Sequence, residues 1–377
     1  MASTDSRSAV LQRTISLPSP RRKRVMAYVA AAAVAGGVGM ALAMWLGGNL
    51  VESRIDGLAI GGRGDFTGWG LPTSKLLLNV ASIGVIGLLL TRLLLPENEP
   101  ESSAMARRCL RTASWLALVW AASNAVLLIF TWSDMVARPV RELSFGSLFT
   151  DTARTFPEVT AYVSSTGVAM MIAVGLSISE TRRGALILLP LSVYNLVPMA
   201  LQGHASHSTL LKYTLIMHVI AMALWVGGLA ALLTHVRREP TLLAVAVPRF
   251  STLALACYAV VTVTGIVAAW ELLQSLSLLW GSRYGVVIIL KVAALIALGV
   301  FGWWHRRHTL HRIRAGEGGR SRRAFIQLAA GELVVMVLAV GLAVGLSRTA
   351  SPDTILLHSS RGEASASFDQ TQPGTRP

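Results

Sequence analysis

Apolar runs of about twenty residues alternate with short polar stretches along most of this 377-residue chain. A run of that length crosses the hydrocarbon core of a bilayer as a helix. The pattern predicts nine transmembrane helices, at about 25–50, 76–95, 112–132, 159–179, 185–202, 210–233, 250–270, 285–304 and 324–346. The predicted fold is therefore an all-α, polytopic membrane helical bundle.

The same pattern divides the chain into four parts. Residues 1–24 form a polar, basic tail that is predicted to be disordered, and residues 347–377 form a second polar tail. Between them we expect a five-helix membrane region, 25–202, and a four-helix membrane domain, 203–346. Pro190 and Pro198 predict a bend in the fifth helix. The first run is longer than a signal-peptide core, which favours a retained anchor, although Ala41-Leu42-Ala43 leaves cleavage open.

Composition narrows the class of protein further. Hydrophobic residues make up 53% and charged residues 14% of the chain, whereas soluble domains carry roughly 25% charged residues. No loop is long enough for a catalytic domain of the soluble type, so we do not expect an enzyme. Cys109 and Cys257 lie in different runs, which argues against a disulfide framework or a thiolate cluster.

The distribution of positive charge predicts the orientation in the membrane. The net charge is +15, and the arginines gather in short loops between apolar runs. This placement is typical of membrane topology, so we expect the lipid bilayer and not nucleic acid as the partner. With the N-terminus inside, Lys and Arg favour the inner side by about two to one. We therefore predict a cytoplasmic N-terminus and an extracytoplasmic C-terminus.

One ionisable residue, His218, lies well inside the apolar run 210–233. An ionisable side chain at that depth costs free energy and is a functional-site hypothesis by default. Imidazole and thioether groups together suit copper, which predicts a metal path along this helix. The candidate ligands are His204, His207 and Met199 at the outer mouth, and His218, Met217 and Met222 farther in.

Other interpretations of these residues remain open. His218 could simply form a hydrogen bond to a neighbouring helix, and Met222 could belong to the core. The pair Gly227-Gly228 predicts a close approach of another helix. Lys291 and Glu332 are charges inside predicted spans, and they could form a pair. Their different depths favour separate roles.

A spaced series of residues from 203 to 346 carries a family resemblance. It comprises His218 with Leu224-Trp225-Val226-Gly227-Gly228-Leu229, Arg249-Phe250-Ser251, Thr264-Gly265, Tyr284-Gly285, Lys291 and Glu332-Leu333. This series resembles the copper resistance protein D (CopD) family of bacterial inner-membrane proteins. The resemblance implies a copper permease of the plasma membrane that imports copper and receives it from a periplasmic copper-binding partner.

Two other functions compete with transport of copper as the substrate. The protein could deliver copper to a respiratory oxidase, as an assembly factor without net transport. It could also be a b-type haem electron carrier, but no other predicted span contains a histidine to pair with His218.

Overall fold

The computed structural model describes residues 20–47, 64–97, 100–136, 138–143, 146, 157–201, 208–273, 279–280, 283–304, 307 and 319–347. Within these ranges the secondary structure is helical, with no strand, which confirms the all-α prediction. The long helices are α1 (Pro20–Gly47), α2 (Gly64–Leu94), α3 (Pro100–Met135), α4 (Pro157–Ile178), α5 (Arg182–Tyr194), α6 (Thr209–Thr234), α7 (Pro240–Leu273), α8 (Arg283–Trp304) and α9 (Gly319–Leu346).

Seven of these helices are long and apolar enough to cross a membrane: α2, α3, α4, α6, α7, α8 and α9. The protein is thus a polytopic helical membrane protein. In α1 the apolar stretch is shorter, Ala30–Leu46, and α5 has only 13 residues. The predicted count of nine spans and the predicted orientation stay predictions.

The fifth apolar run is interrupted between its two prolines. Helix α5 ends at Tyr194, and a single helical turn, Val197–Ala200, follows after Asn195 and Leu196. Asn195 is only 1% exposed, and its Nδ2 donates to the carbonyl of Ser165 on α4 at 3.2 Å. A polar side chain at the break is therefore satisfied by the neighbouring helix.

Helix α2 is central to the packing, since it contacts α1, α3, α5, α6, α7 and α9. Helix α4 packs on α3, α7 packs on α6, and α8 packs on α9. One apolar core runs through the bundle from Leu71 on α2 to Met336 on α9. The predicted boundary at 202/203 therefore falls between two regions that share a core.

Two helix crossings depend on glycine. At the crossing of α2 and α6, a Cβ on Gly87 would overlap the backbone of Gly227, and a Cβ on Gly227 would overlap the carbonyl of Ile83. Gly228 lies against the ring of Phe250. The predicted close approach at Gly227-Gly228 is confirmed, because helices whose surfaces lack side chains can bring their backbones together.

The first and last long helices make the second crossing of this kind. Helix α1 packs mainly against α9. A Cβ on Gly341 would overlap the carbonyl of Gly36, and a Cβ on Gly345 would lie 2.8 Å from the carbonyl of Met40. The Gly-x-x-x-Gly spacing of Gly341 and Gly345 is a signal for such packing.

Candidate functional site

His218 lies in the N-terminal half of α6, where this helix packs on α7. It is nine residues from the start of α6, which corresponds to roughly 14 Å along the helix. Its Nδ1 is 2.9 Å from Oγ1 of Thr264 on α7. A Cβ on Gly265 would lie 3.7 Å from Cε1 of the same ring, an ordinary van der Waals distance, so the imidazole packs next to this turn of α7.

An aromatic pair lies about two helical turns after His218 along α6. Trp225 on α6 and Tyr258 on α7 have ring centroids 5.6 Å apart at an interplanar angle of 85°. The hydroxyl of Tyr258 lies against Gly299 on α8, where a Cβ would overlap it. Three helices, α6, α7 and α8, therefore meet at this pair.

Lys291 on α8 lies within electrostatic range of the His218 imidazole. It is eight residues from the start of α8, or roughly 12 Å, and therefore at a depth similar to that of His218. When it is protonated, the amine of Lys291 opposes a second cation at the imidazole. Glu332 lies on the adjacent α9 and is 7% exposed. The separate roles expected for Lys291 and Glu332 stay a prediction.

The predicted thioether ligands occupy different surroundings. Met222 is one turn from His218 on the same face of α6 and packs against the central core, as its structural interpretation expects. Met217 is 50% exposed. It precedes His218 directly on α6, and successive helical residues point about 100° apart, so Met217 lies on a different face of the helix. Met199 lies in the single turn Val197–Ala200. His204 and His207, the predicted mouth of the path, lie outside the described residues.

Within the described ranges, no group of three or more His, Cys, Asp or Glu side chains gathers into a metal-binding cluster. Copper differs from metals that need such clusters, because it accepts few ligands and binds imidazole and thioether groups. His218 and Met222 on one helix face provide that chemistry. The assignment of both as ligands remains a hypothesis.

Sequence reasoning missed two polar contacts between helices. The partner of His218 is Thr264, 46 positions away, and the only signal for it was the Thr264-Gly265 pair within an apolar run. The second contact joins Asn124 on α3 to Ser165 on α4, where Nδ2 donates to Oγ at 2.9 Å. Both residues are buried. A lone Asn or Ser in an apolar run is a weak signal for such a contact.

The other described histidine, His235, follows directly after α6. Its Nε2 lies 3.2 Å from Oγ1 of Thr112, and its Nδ1 lies 2.8 Å from Oγ1 of Thr234. Burial lowers the pKa of His235 below its ordinary value, and the charge of Arg108 lowers this pKa further. We therefore expect a neutral imidazole that links α6 to α3 at this end of the bundle.

Comparison with protein families gives two matches along the chain. Residues 65–213 match the copper resistance protein D-like N-terminal domain, and residues 244–346 match copper resistance protein D. His218 and Gly227-Gly228 lie in the interval between them. No curated protein and no solved structure matches the chain. The first match carries the resemblance from residues 203–346 into helices α2 to α5. Together the two matches cover most of the chain, which belongs to the copper resistance protein D family.

Proposed function

We propose that this protein carries copper ions across the bacterial plasma membrane, in the direction of import. Membership in the copper resistance protein D family supports a role in copper resistance or homeostasis. The observation that supports transport is the position of His218. This imidazole lies inside the apolar helix α6, where an ionisable group is costly, and is held between helices by Thr264.

An ion that enters the bilayer must exchange its water shell for protein ligands, because a bare charge in hydrocarbon is prohibitively costly. His207 and His218 are eleven residues apart, which is about 16 Å along a helix. They therefore bind copper in succession. In this proposal His204, His207 and Met199 capture the ion at the mouth, and His218 with Met222 receives it within the membrane.

In this proposal Lys291 keeps copper from binding too tightly at His218. Movement through a pore requires binding that is favourable enough for entry and weak enough for release. A fixed ammonium group within electrostatic range of His218 raises the free energy of a copper ion bound there. In the proposed mechanism this repulsion shortens the time that copper spends at the imidazole. The carboxylate of Glu332 lies on α9, the helix that packs against α8.

The proposed orientation has nine spans, a cytoplasmic N-terminus and an extracytoplasmic C-terminus. The mouth of the path then faces outward and can receive copper from an extracytoplasmic copper-binding protein. A reporter that is active only in the cytoplasm should be silent when fused after Ser347. Activity of that fusion would overturn the orientation and the direction of the path.

Copper uptake tests the proposal directly. Vesicles that contain the wild-type protein should accumulate copper, whereas His218→Ala should abolish flux and retain copper binding at the surface. The control is His235→Ala, because His235 is the histidine that follows α6 and does not contact Thr264. In cells, raised copper accumulation indicates import and lowered accumulation indicates export. Transport by His218→Ala at the wild-type rate would remove the inner site from the mechanism.

A further inference from the structure

We infer that Thr264 is a positioning residue that holds the His218 imidazole in one tautomer, with the proton on Nδ1 and a lone pair on Nε2. This inference rests on the proposed function, since the lone pair of Nε2 is the one offered to copper. Thr264 itself does not touch the ion. Its effect is to decide which ring nitrogen can bind copper.

The direction of the hydrogen bond follows from the other contacts of the Thr264 hydroxyl. Its Oγ1 lies 2.5 Å from the carbonyl oxygen of Val260 and 3.3 Å from that of Val261. A carbonyl oxygen can only accept, so the single hydroxyl proton points to the backbone of α7. The lone pairs of Oγ1 then face Nδ1 of His218 at 2.9 Å, and Nδ1 must carry the proton.

The reverse arrangement is unfavourable. If the hydroxyl donated to Nδ1, the oxygens of Thr264 and Val260 would remain 2.5 Å apart with no proton between them. Two acceptor oxygens at that separation repel each other. Oγ1 of Thr264 therefore accepts, which favours a proton on Nδ1, the ring nitrogen that faces it.

The consequence for copper binding follows from the two tautomers of a neutral imidazole. One ring nitrogen is a donor and the other is an acceptor, and only the acceptor can bind a metal ion without first losing a proton. A hydrogen bond at Nδ1 also fixes the ring orientation. Loss of such a partner typically lowers metal affinity by about 10- to 100-fold.

The first measurement reads the tautomer without copper. The full chain is labelled with ¹⁵N-histidine, and NMR at about pH 8, above the ordinary imidazole pKa of about 6.5, shows which nitrogen is protonated. His218→Gln identifies the signal of His218. We expect protonated Nδ1 in the wild type and in Thr264→Ser, and a mixture of tautomers in Thr264→Val.

The matched control is Thr262→Val. Thr262 lies on the same helix and makes the same kind of backbone hydrogen bond, from Oγ1 to the carbonyl of Tyr258 at 2.8 Å. It makes no described contact with His218. Loss of the Thr262 hydroxyl should leave the tautomer of His218 unchanged. A wild-type imidazole protonated on Nε2, or an unchanged Nδ1 proton in Thr264→Val, would overturn the inference.

The second measurement is the affinity for copper(I) alone, by competition with a coloured chelator. Thr264→Val should bind about 10- to 100-fold more weakly than the wild type, and Thr264→Ser should restore most of the affinity. Wild-type affinity in a Thr264→Val protein with mixed tautomers would overturn the positioning role. If His218→Gln binds and transports copper like the wild type, the proposed function fails instead, and the NMR result still decides the role of Thr264 in the tautomer.

Discussion

Two sides of α6 differ in how they meet their neighbours. On one side, Gly227 lies backbone to backbone against Gly87 of α2. On the other side, His218 meets Thr264 of α7 through a hydrogen bond and has the charge of Lys291 nearby. The two neighbouring helices also differ in burial. In an apolar 18-residue stretch of α2, 56% of the residues are buried in the protein, compared with 11% in the corresponding stretch of α7.

The difference shows how a single helix combines rigidity with chemistry. Lipid is as apolar as a leucine side chain, so helices in a membrane associate through close packing and interhelical hydrogen bonds. The glycine contact holds the C-terminal half of α6 against the central helix α2. His218 is nine residues away, about 14 Å, in a part of the helix where a polar group has a partner on α7.

The largest effect is expected when a side chain is placed in the glycine contact between α2 and α6. We expect Gly227→Ala to destabilise the protein by about 1–3 kcal/mol, because the new Cβ would overlap the carbonyl of Ile83. The matched control is Gly167→Ala on α4, where a Cβ meets nothing within 4 Å. Thermal unfolding in detergent compares the two variants. Equal unfolding temperatures would show that the contact is not tight.

The next effect concerns the charge on the other side of α6. We expect Lys291→Ala to lower copper flux and to tighten copper binding by roughly tenfold, because it removes a positive charge that repels the ion at His218. Lys291→Arg keeps the charge and should stay close to the wild type. Flux and affinity are measured at matched expression.

Glu332→Ala is the companion variant on α9, and we expect it to lower flux as well. Glu332 is a buried acidic side chain inside a candidate span, and such groups are commonly functional. Full flux with normal expression in both Lys291→Ala and Glu332→Ala would reduce the two charges to incidental residues. The comparison would then rest on His218 and Thr264.

The smallest expected effect is at the C-terminal end of α6, at His235. Because the folded protein lowers the pKa of His235, the unfolded chain binds more protons as the pH falls through the ordinary imidazole value of about 6.5. His235 therefore contributes stability above that pH and loses it below. We expect His235→Gln to reduce the fall in unfolding temperature between about pH 7.5 and 5.5 by roughly 1 °C. An identical fall in both proteins would contradict the prediction.

Several features of the protein were determined by the sequence alone. The apolar runs predict helices because only a helix satisfies the backbone hydrogen bonds of a single segment in hydrocarbon. The Gly227-Gly228 pair predicts a close helix crossing, since a surface without side chains allows backbones to meet. The depth of His218 within its run marks it as a candidate site before any contact is known.

Only the tertiary structure decided which residues meet. The Gly-x-x-x-Gly spacing of Gly341 and Gly345 does not show that they pack on α1, at the other end of the chain. Likewise, nothing in the periodicity around His218 indicates Thr264, 46 positions away. Periodicity describes one helix at a time, whereas these contacts depend on the distance and angle at which two helices cross. The tautomer that Thr264 favours at His218 therefore follows from helix packing.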